Sequence, residues 1–139
     1  MKPVRQFFLV ALLVFCLLCP ATAQEKADQS AALGPTTVSQ AKFPLTLQGA
    51  EYELLSIVLD FPPGARVASH SHGGHVLVTM LSGTLTLKEK GMEKTLKSGE
   101  SWTENPGAEH EVVNSGVDTA RVAVSVLLPK GAGLTTMTK

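Results

Sequence analysis

The sequence GARVASHSHGGHVLVTMLSG at residues 64–83, followed by PGAEHEVVN at residues 106–114, decides the fold and the candidate chemistry of this chain. These two stretches hold all four histidines of the 139 residues. The histidines are His70, His72, His75 and His110. Since no other cluster in the sequence has a pattern typical of chemistry, the histidines are the first candidates for function.

The spacing of His70 and His72 indicates a site carried by a β-strand. Side chains two residues apart on a strand point to the same face, whereas a helix would splay them apart. Neutral imidazole is a common ligand of zinc, copper, iron and nickel. Two imidazoles on one strand face therefore form half of a metal-binding site.

Short apolar runs between turn residues predict an all-β fold from Tyr52 onward. Residues 53–61 alternate between apolar and polar, and the turn Pro62-Pro63-Gly64 ends them. Many short strands separated by Gly and Pro turns are typical of a sandwich or barrel. The last run is apolar or small on both faces, which is compatible with cover by a second subunit in a homodimer. Further strands are predicted at 65–72, 76–82, 84–89, 92–96, 102–103, 110–114 and 119–128.

The N-terminus has the pattern of a secretory signal peptide. Lys2 and Arg5 precede an apolar run from Phe7 to Cys19, and Ala21-Thr22-Ala23 matches a cleavage signal. A membrane-spanning helix requires about 20 apolar residues, more than this run provides. We therefore expect cleavage after Ala23, export to the periplasm or the medium, and no membrane partner for the mature chain.

Composition limits what the mature chain can be. Residues 24–139 are about the commonest size for a single domain. Both cysteines lie in the signal segment, so the fold cannot depend on disulfides. Loss of Lys2 and Arg5 takes the formal net charge from 0 to −2, and without basic clusters we expect no nucleic-acid partner. The expected organisation is a signal peptide at 1–23, an arm or tether at 24–42, a β-barrel at 43–130 and a C-terminal tail at 131–139.

The two histidine stretches resemble the two motifs of the cupin family. The first motif, glycine, His-x-His and a second glycine at set spacings, is matched by Gly64, His70, His72 and Gly83. The second motif is matched by Gly99, Pro106, Gly107, His110 and Asn114. The resemblance covers residues 43–130 and implies a small, single-domain jelly-roll β-barrel of the cupin-2 type. It also implies that His70, His72 and His110 point inward at one divalent transition metal ion, either Fe, Mn, Ni, Cu or Zn.

The sequence departs from the family motif at the carboxylate ligand. The family's Glu would fall at position 76, where this chain has Val76. His75 lies one residue earlier, and the preceding Gly73-Gly74 can bulge the strand enough to turn its imidazole inward. A four-histidine site that includes His75 and a three-histidine site with open positions are the two alternatives. The glutamates that flank His110 should face away from it by strand parity, and no other carboxylate is expected beside the histidines.

Three further residues are candidates for contact with a substrate. Arg66 shares strand parity with His70 and can hold a carboxylate bidentately, although a rim position with its head in solvent is the plainer interpretation. Met80 and Trp102 are expected to pack inside the barrel, where packing also forms the pocket wall. Asn114 is interpreted as a structural residue at a strand end.

The resemblance to small cupins of the quercetin dioxygenase kind implies a metal-dependent oxidoreductase of dioxygenase type, acting on a small oxygenated or aromatic compound. Three neutral ligands leave two or three coordination positions for a small-molecule substrate and for water or oxygen. Without a carboxylate ligand the ion would keep its full charge, which favours an anionic bidentate substrate. A non-catalytic protein that binds a metal or small ligand and a metal-dependent isomerase or lyase are the alternatives.

Overall fold

A computed structural model describes residues 33–138. Within that range the chain forms ten β-strands and no helix, so nothing there has the length and apolarity of a membrane-spanning helix. The expected signal peptide and the first residues of the expected arm lie outside the described residues. The strands are β1 (Thr36–Leu47), β2 (Ala50–Phe61), β3 (Arg66–Ser71), β4 (His75–Ser82), β5 (Thr84–Glu89), β6 (Met92–Lys97), β7 (Ser101–Glu104), β8 (His110–Val113), β9 (Ala120–Pro129) and β10 (Thr136–Met137).

The strands form two five-stranded antiparallel sheets. One has the order β1-β2-β9-β4-β7 and the other β10-β3-β8-β5-β6. Alternate side chains of the strands are buried between the sheets, as period-two alternation requires. The expected all-β, jelly-roll architecture is confirmed. Core side chains come from both sheets and include Phe61, Val78, Leu85, Val112, Val122 and Val126.

A tight turn links β4 to β5, and only glycine fits there. Gly83 has a φ of 73°, and a Cβ at this position would lie 2.8 Å from the Cα of Ala120. Both the left-handed backbone and the close approach therefore exclude a side chain. This turn carries the chain from the first sheet to the second.

The sheets extend beyond the segment expected to form the barrel. Strand β1 pairs with β2 from Thr36 onward, so residues 36–42 are part of a sheet. The sequence shows no apolar period there because β1 is an edge strand whose residues are nearly all exposed. In the expected C-terminal tail, β10 pairs with β3 through Thr136 and Met137.

The apolar strand β9 lies at the centre of its sheet, between β2 and β4. Its inward residues Val122, Val126 and Leu128 are buried in the core. The outer face of the same sheet carries apolar side chains that include Phe43 and Leu77, which are 54% and 46% exposed. A homodimer that covers this face stays a prediction.

Candidate metal centre

The barrel brings three of the four histidines together. His70 on β3 is the direct cross-strand partner of His110 on β8, so both side chains point to the same face. His72 follows the end of β3. The ring centroid of His70 lies 4.3 Å from that of His110 and 4.8 Å from that of His72. The ring centroids of His72 and His110 are 5.3 Å apart.

Backbone carbonyls orient all three imidazoles in the same way. The Nδ1 atoms of His70, His72 and His110 lie 2.8, 2.7 and 3.1 Å from the carbonyl oxygens of Ala68, Leu134 and Ala108, respectively. A carbonyl oxygen can only accept, so in the neutral rings Nδ1 carries the proton and Nε2 the free lone pair. Metal-ligating histidines are commonly oriented by such hydrogen bonds.

The residues present fit a metal ion. One ligand-capable nitrogen from each of His70, His72 and His110 lies within 4.8 Å of the other two. Two ligand atoms of one transition metal ion are at most about 4.2 Å apart when each bond is about 2.1 Å, so a small rotation of the rings would bring all three nitrogens to one ion. In the neutral ring, the buried Nε2 of His110 offers a lone pair that meets no hydrogen-bond donor among the described residues, which is costly unless something binds it. A cation at this point would satisfy it.

The sequence-based expectation that no carboxylate lies beside the histidines is wrong. Glu104 at the end of β7 is only 8% exposed and points into the cluster. Its Oε1 lies 3.2 Å from Nε2 of His110, and its Oε2 lies 3.3 Å from Nε2 of His72. The indole N–H of Trp102 donates a 2.8 Å hydrogen bond to Oε1.

Alternation along β7 predicts that Glu104 faces inward. The exposure of β7 alternates, so Trp102 and Glu104 face inward together. The predicted strand at 102–103 stopped one residue short of the carboxylate. A buried charge at an inward position is costly unless it is paired, and the Nε2 atoms of His72 and His110 pair with this carboxylate when they carry a proton or share a cation with it.

Burial and the contacts between Glu104 and the histidines shift the pKa values of these groups. Burial raises the pKa of Glu104, but the neighbouring His110 and His72 and the Trp102 N–H outweigh it and hold that pKa well below its usual range. Burial lowers the pKa of His110, but the Glu104 carboxylate outweighs this and raises it above the ordinary value. Burial lowers the pKa of His70. In the metal-free site Glu104 is thus held as a carboxylate, and the pKa of His110 lies above that of His70.

The structure does not bring His75 into the group. His75 is exposed on β4, whereas its neighbour Val76 is buried with the core. Gly73 and Gly74 serve close packing here: a Cβ on Gly74 would lie 2.3 Å from the carbonyl oxygen of Leu127. The β3–β4 connection therefore lies against β9, and the imidazole of His75 is left on the outer side of the sheet.

The three candidate substrate-contact residues have different positions. Arg66 is exposed and does not line the cavity. Its predicted inward position assumed regular alternation from Arg66 to His70, and a register irregularity between Val67 and His70 interrupts that alternation. Val67 lines the cavity in its place. Met80 is 1% exposed in the core and does not line the cavity, whereas Trp102 does.

An apolar cavity of about 230 Å³ opens beside the histidines. Its walls are aliphatic and aromatic side chains from both sheets, such as Phe61, Val78 and Val122. Its polar wall comes from the histidine cluster, Glu104 and Thr135. The segment before β10 therefore supplies both Thr135 and the carbonyl that orients His72, a role that the sequence did not reveal.

Comparison with known proteins agrees with this architecture. Residues 57–127 match the family model described as "Cupin domain". No curated protein is significantly similar to the chain.

Many solved structures share the fold. One is an uncharacterised conserved protein with a double-stranded β-helix domain from Klebsiella pneumoniae, 25% identical, with a TM-score of 0.55 over 78% of this chain and 91% of that one. An RmlC-like cupin from Shewanella frigidimarina is 17% identical, with a TM-score of 0.51 over 66% and 78% of the two chains. A predicted oxalate decarboxylase from Thermotoga maritima is 20% identical, with a TM-score of 0.51 over 69% and 93%. With the family model matching more than half of its residues, this chain belongs to the cupin family.

Proposed function

We propose that this cupin is a metal-dependent oxidoreductase of dioxygenase type that acts on a small, largely apolar compound carrying one chelating oxygen group. The observation that carries the proposal is the position of the histidine cluster in the wall of an otherwise apolar cavity. A pocket of this kind binds a hydrophobic ligand and orients it through a few polar groups.

His70, His72 and His110 would hold the ion through Nε2, since their Nδ1 atoms are engaged by backbone carbonyls. A bound transition metal supplies Lewis acidity and, for a redox-active metal, access to oxygen chemistry. The protein's own residues position the substrate and exclude water: the aliphatic walls offer no competing hydrogen bonds, and the Trp102 ring forms part of the same wall.

Cavity size and charge narrow the class of substrate. An apolar cavity of about 150 Å³ accommodates benzene, so the 230 Å³ here suits a single substituted ring or a short diketone. The carboxylate of Glu104 reduces the charge of a divalent site from +2 to +1. A monoanionic chelate such as an enolate or a singly ionised catechol therefore matches the site better than a dianion.

Oxygen consumption tests the proposal. Iron-loaded protein is incubated with a panel of catechols and small β-diketones while an electrode records oxygen uptake. We expect uptake with at least one compound, and loss of uptake in His72→Ala. Metal-loaded protein that consumes no oxygen with any compound would contradict the oxidoreductase assignment.

A non-catalytic binding protein is the second candidate. It is favoured by one observation: apart from the histidine cluster and Glu104, the cavity wall of the described residues contains no ionisable side chain that could move a proton. Such a protein would bind the same compounds, measured by calorimetry, without consuming oxygen. An isomerase or lyase, the third alternative, would convert its substrate without oxygen, and product analysis under anaerobic conditions would identify it.

Export is part of the proposal and rests on the N-terminal sequence alone. Mass spectrometry of the protein from its native host should give a chain that begins at Gln24. A full-length chain in the cytosol would contradict it.

A further inference from the structure

We propose that Glu104 is the fourth metal ligand, so that the carboxylate which the cupin motif places on β4 is supplied in this chain by β7. The inference rests on the metal-binding part of the proposed function and is independent of the oxygen chemistry.

The register of the sheet places the two positions side by side. Val76, where the motif has its carboxylate, is the direct cross-strand partner of Glu104 in the antiparallel pair of β4 and β7. Directly opposed residues have Cβ atoms about 4.5–5.5 Å apart and project to the same face. Both are buried and both line the cavity. A carboxylate can therefore reach the same volume from either strand.

The oxygens of Glu104 and the Nε2 atoms of two histidines are close enough to bind one cation together. The backbone hydrogen bonds of His72 and His110 leave the lone pairs of the neutral rings at Nε2, and these are the atoms that face the carboxylate oxygens at 3.3 and 3.2 Å. Electron-rich atoms at this separation repel each other unless a proton or a cation lies between them. Adjacent ligands of one ion with bonds of about 2.1 Å are separated by about 3.0 Å in octahedral and about 3.4 Å in tetrahedral geometry. The observed separations fall in that interval.

Trp102 gives the carboxylate a defined orientation. Its indole N–H donates to Oε1, and the two residues share the inward face of β7. Hydrogen bonding to a ligating carboxylate is typical of metal sites. Trp102 is thus a positioning residue, and Val76 leaves room for the carboxylate that arrives from the neighbouring strand.

Zinc affinity tests the inference without reference to any reaction. Competition titrations with a chelator are carried out on the wild type, Glu104→Gln and the control Glu109→Gln, which makes the same charge change at an exposed residue beside His110. We expect Glu104→Gln to weaken zinc binding by more than about 100-fold, because loss of an outer partner typically costs 10–100-fold. The control should stay within about threefold of the wild type.

A swap of the two positions is the sharper test. The double variant Val76→Glu/Glu104→Val returns the carboxylate to the motif position, and we expect it to bind zinc within about tenfold of the wild type. Should the variants fail to fold, the carboxyl carbon of Glu104 in the ¹³C-labelled wild type should shift on addition of one equivalent of zinc.

The experiments distinguish failure of the Glu104 assignment from failure of the three-histidine metal site. A loss of 100-fold or less in folded Glu104→Gln, or a carboxyl resonance that zinc leaves unmoved, overturns the assignment of Glu104 and leaves the three-histidine site intact. A wild type that binds no zinc overturns both.

Discussion

Asn114 should be a strong determinant of stability that has no part in metal binding. It is completely buried just after β8, and its side-chain amide donates hydrogen bonds to the carbonyl oxygens of Phe61 and Asp118 at 2.7 and 2.8 Å. Its Oδ1 accepts a 2.9 Å hydrogen bond from the N–H of Gly116. This one side chain therefore joins the end of β2 to the loop between β8 and β9.

The cost of Asn114→Ala follows from the exposure of those partners. Phe61 is 3% exposed, so its carbonyl would lose its side-chain donor at a buried position, at a cost of about 1–3 kcal/mol. Gly116 and Asp118 are more exposed, so water can replace the amide, and each lost hydrogen bond costs about 0.5–1.5 kcal/mol. The sum is about 2–6 kcal/mol, a large part of the 5–15 kcal/mol that stabilises a typical domain.

Urea unfolding of metal-free protein measures this cost. Asn105→Ala, at an exposed loop position, is the matched control and should change the free energy of unfolding by no more than about 0.5 kcal/mol. Zinc stoichiometry of folded Asn114→Ala should equal that of the wild type. A destabilisation below about 1 kcal/mol would refute the hydrogen-bond reasoning, and a loss of zinc from the folded variant would refute the purely structural role.

Three further predictions concern the site and its surroundings. Gly74→Ala should destabilise the protein by about 1–3 kcal/mol in thermal unfolding, because its Cβ would overlap a carbonyl of β9; an unchanged melting temperature would contradict the packing. His75→Ala should leave zinc affinity unaltered in the chelator assay, and a clear loss would restore the four-histidine alternative. In metal-free protein, NMR titration should show His110 protonating at higher pH than His70, because Glu104 raises the pKa of the first and burial lowers that of the second. These two shifts change the free energy of unfolding in opposite directions with pH. The stabilisation from His110 is fully present below its unfolded-state pKa and is lost as the pH rises through its folded-state pKa. Protonation of His70 destabilises the fold as the pH falls below its unfolded-state pKa. The reverse order of titration would contradict the cluster's electrostatics.

Much of the fold is predictable because alternation and turns are local properties. The residues of β2 alternate in burial as their apolar pattern indicates, and the turn at Gly83 requires the glycine that the sequence has. Strand parity also predicts that His70 and His72 share a face. Strand β1 was missed because an exposed edge strand needs no apolar side chains, so pairing alone holds it in the sheet.

The carboxylate was missed because cross-strand register is not a local property. Glu104 is 28 positions from Val76 along the chain, yet the two are opposite each other in the sheet. Arg66 illustrates the same limit, since one register irregularity in β3 reverses the face that simple parity assigns. Parity along β7 indicates that Glu104 faces inward with Trp102, but only the register of the folded sheet places it beside Val76 and the histidines.

Histidine ¹⁵N NMR gives the most direct test of the central claim, that three imidazoles share one cation. On titration with one equivalent of zinc, the account predicts that the Nε2 resonances of His70, His72 and His110 shift together and that those of His75 stay in place. It also predicts that Nδ1 remains protonated in all three ligating rings. Fewer than three responding rings, or coordination through Nδ1, would contradict the account.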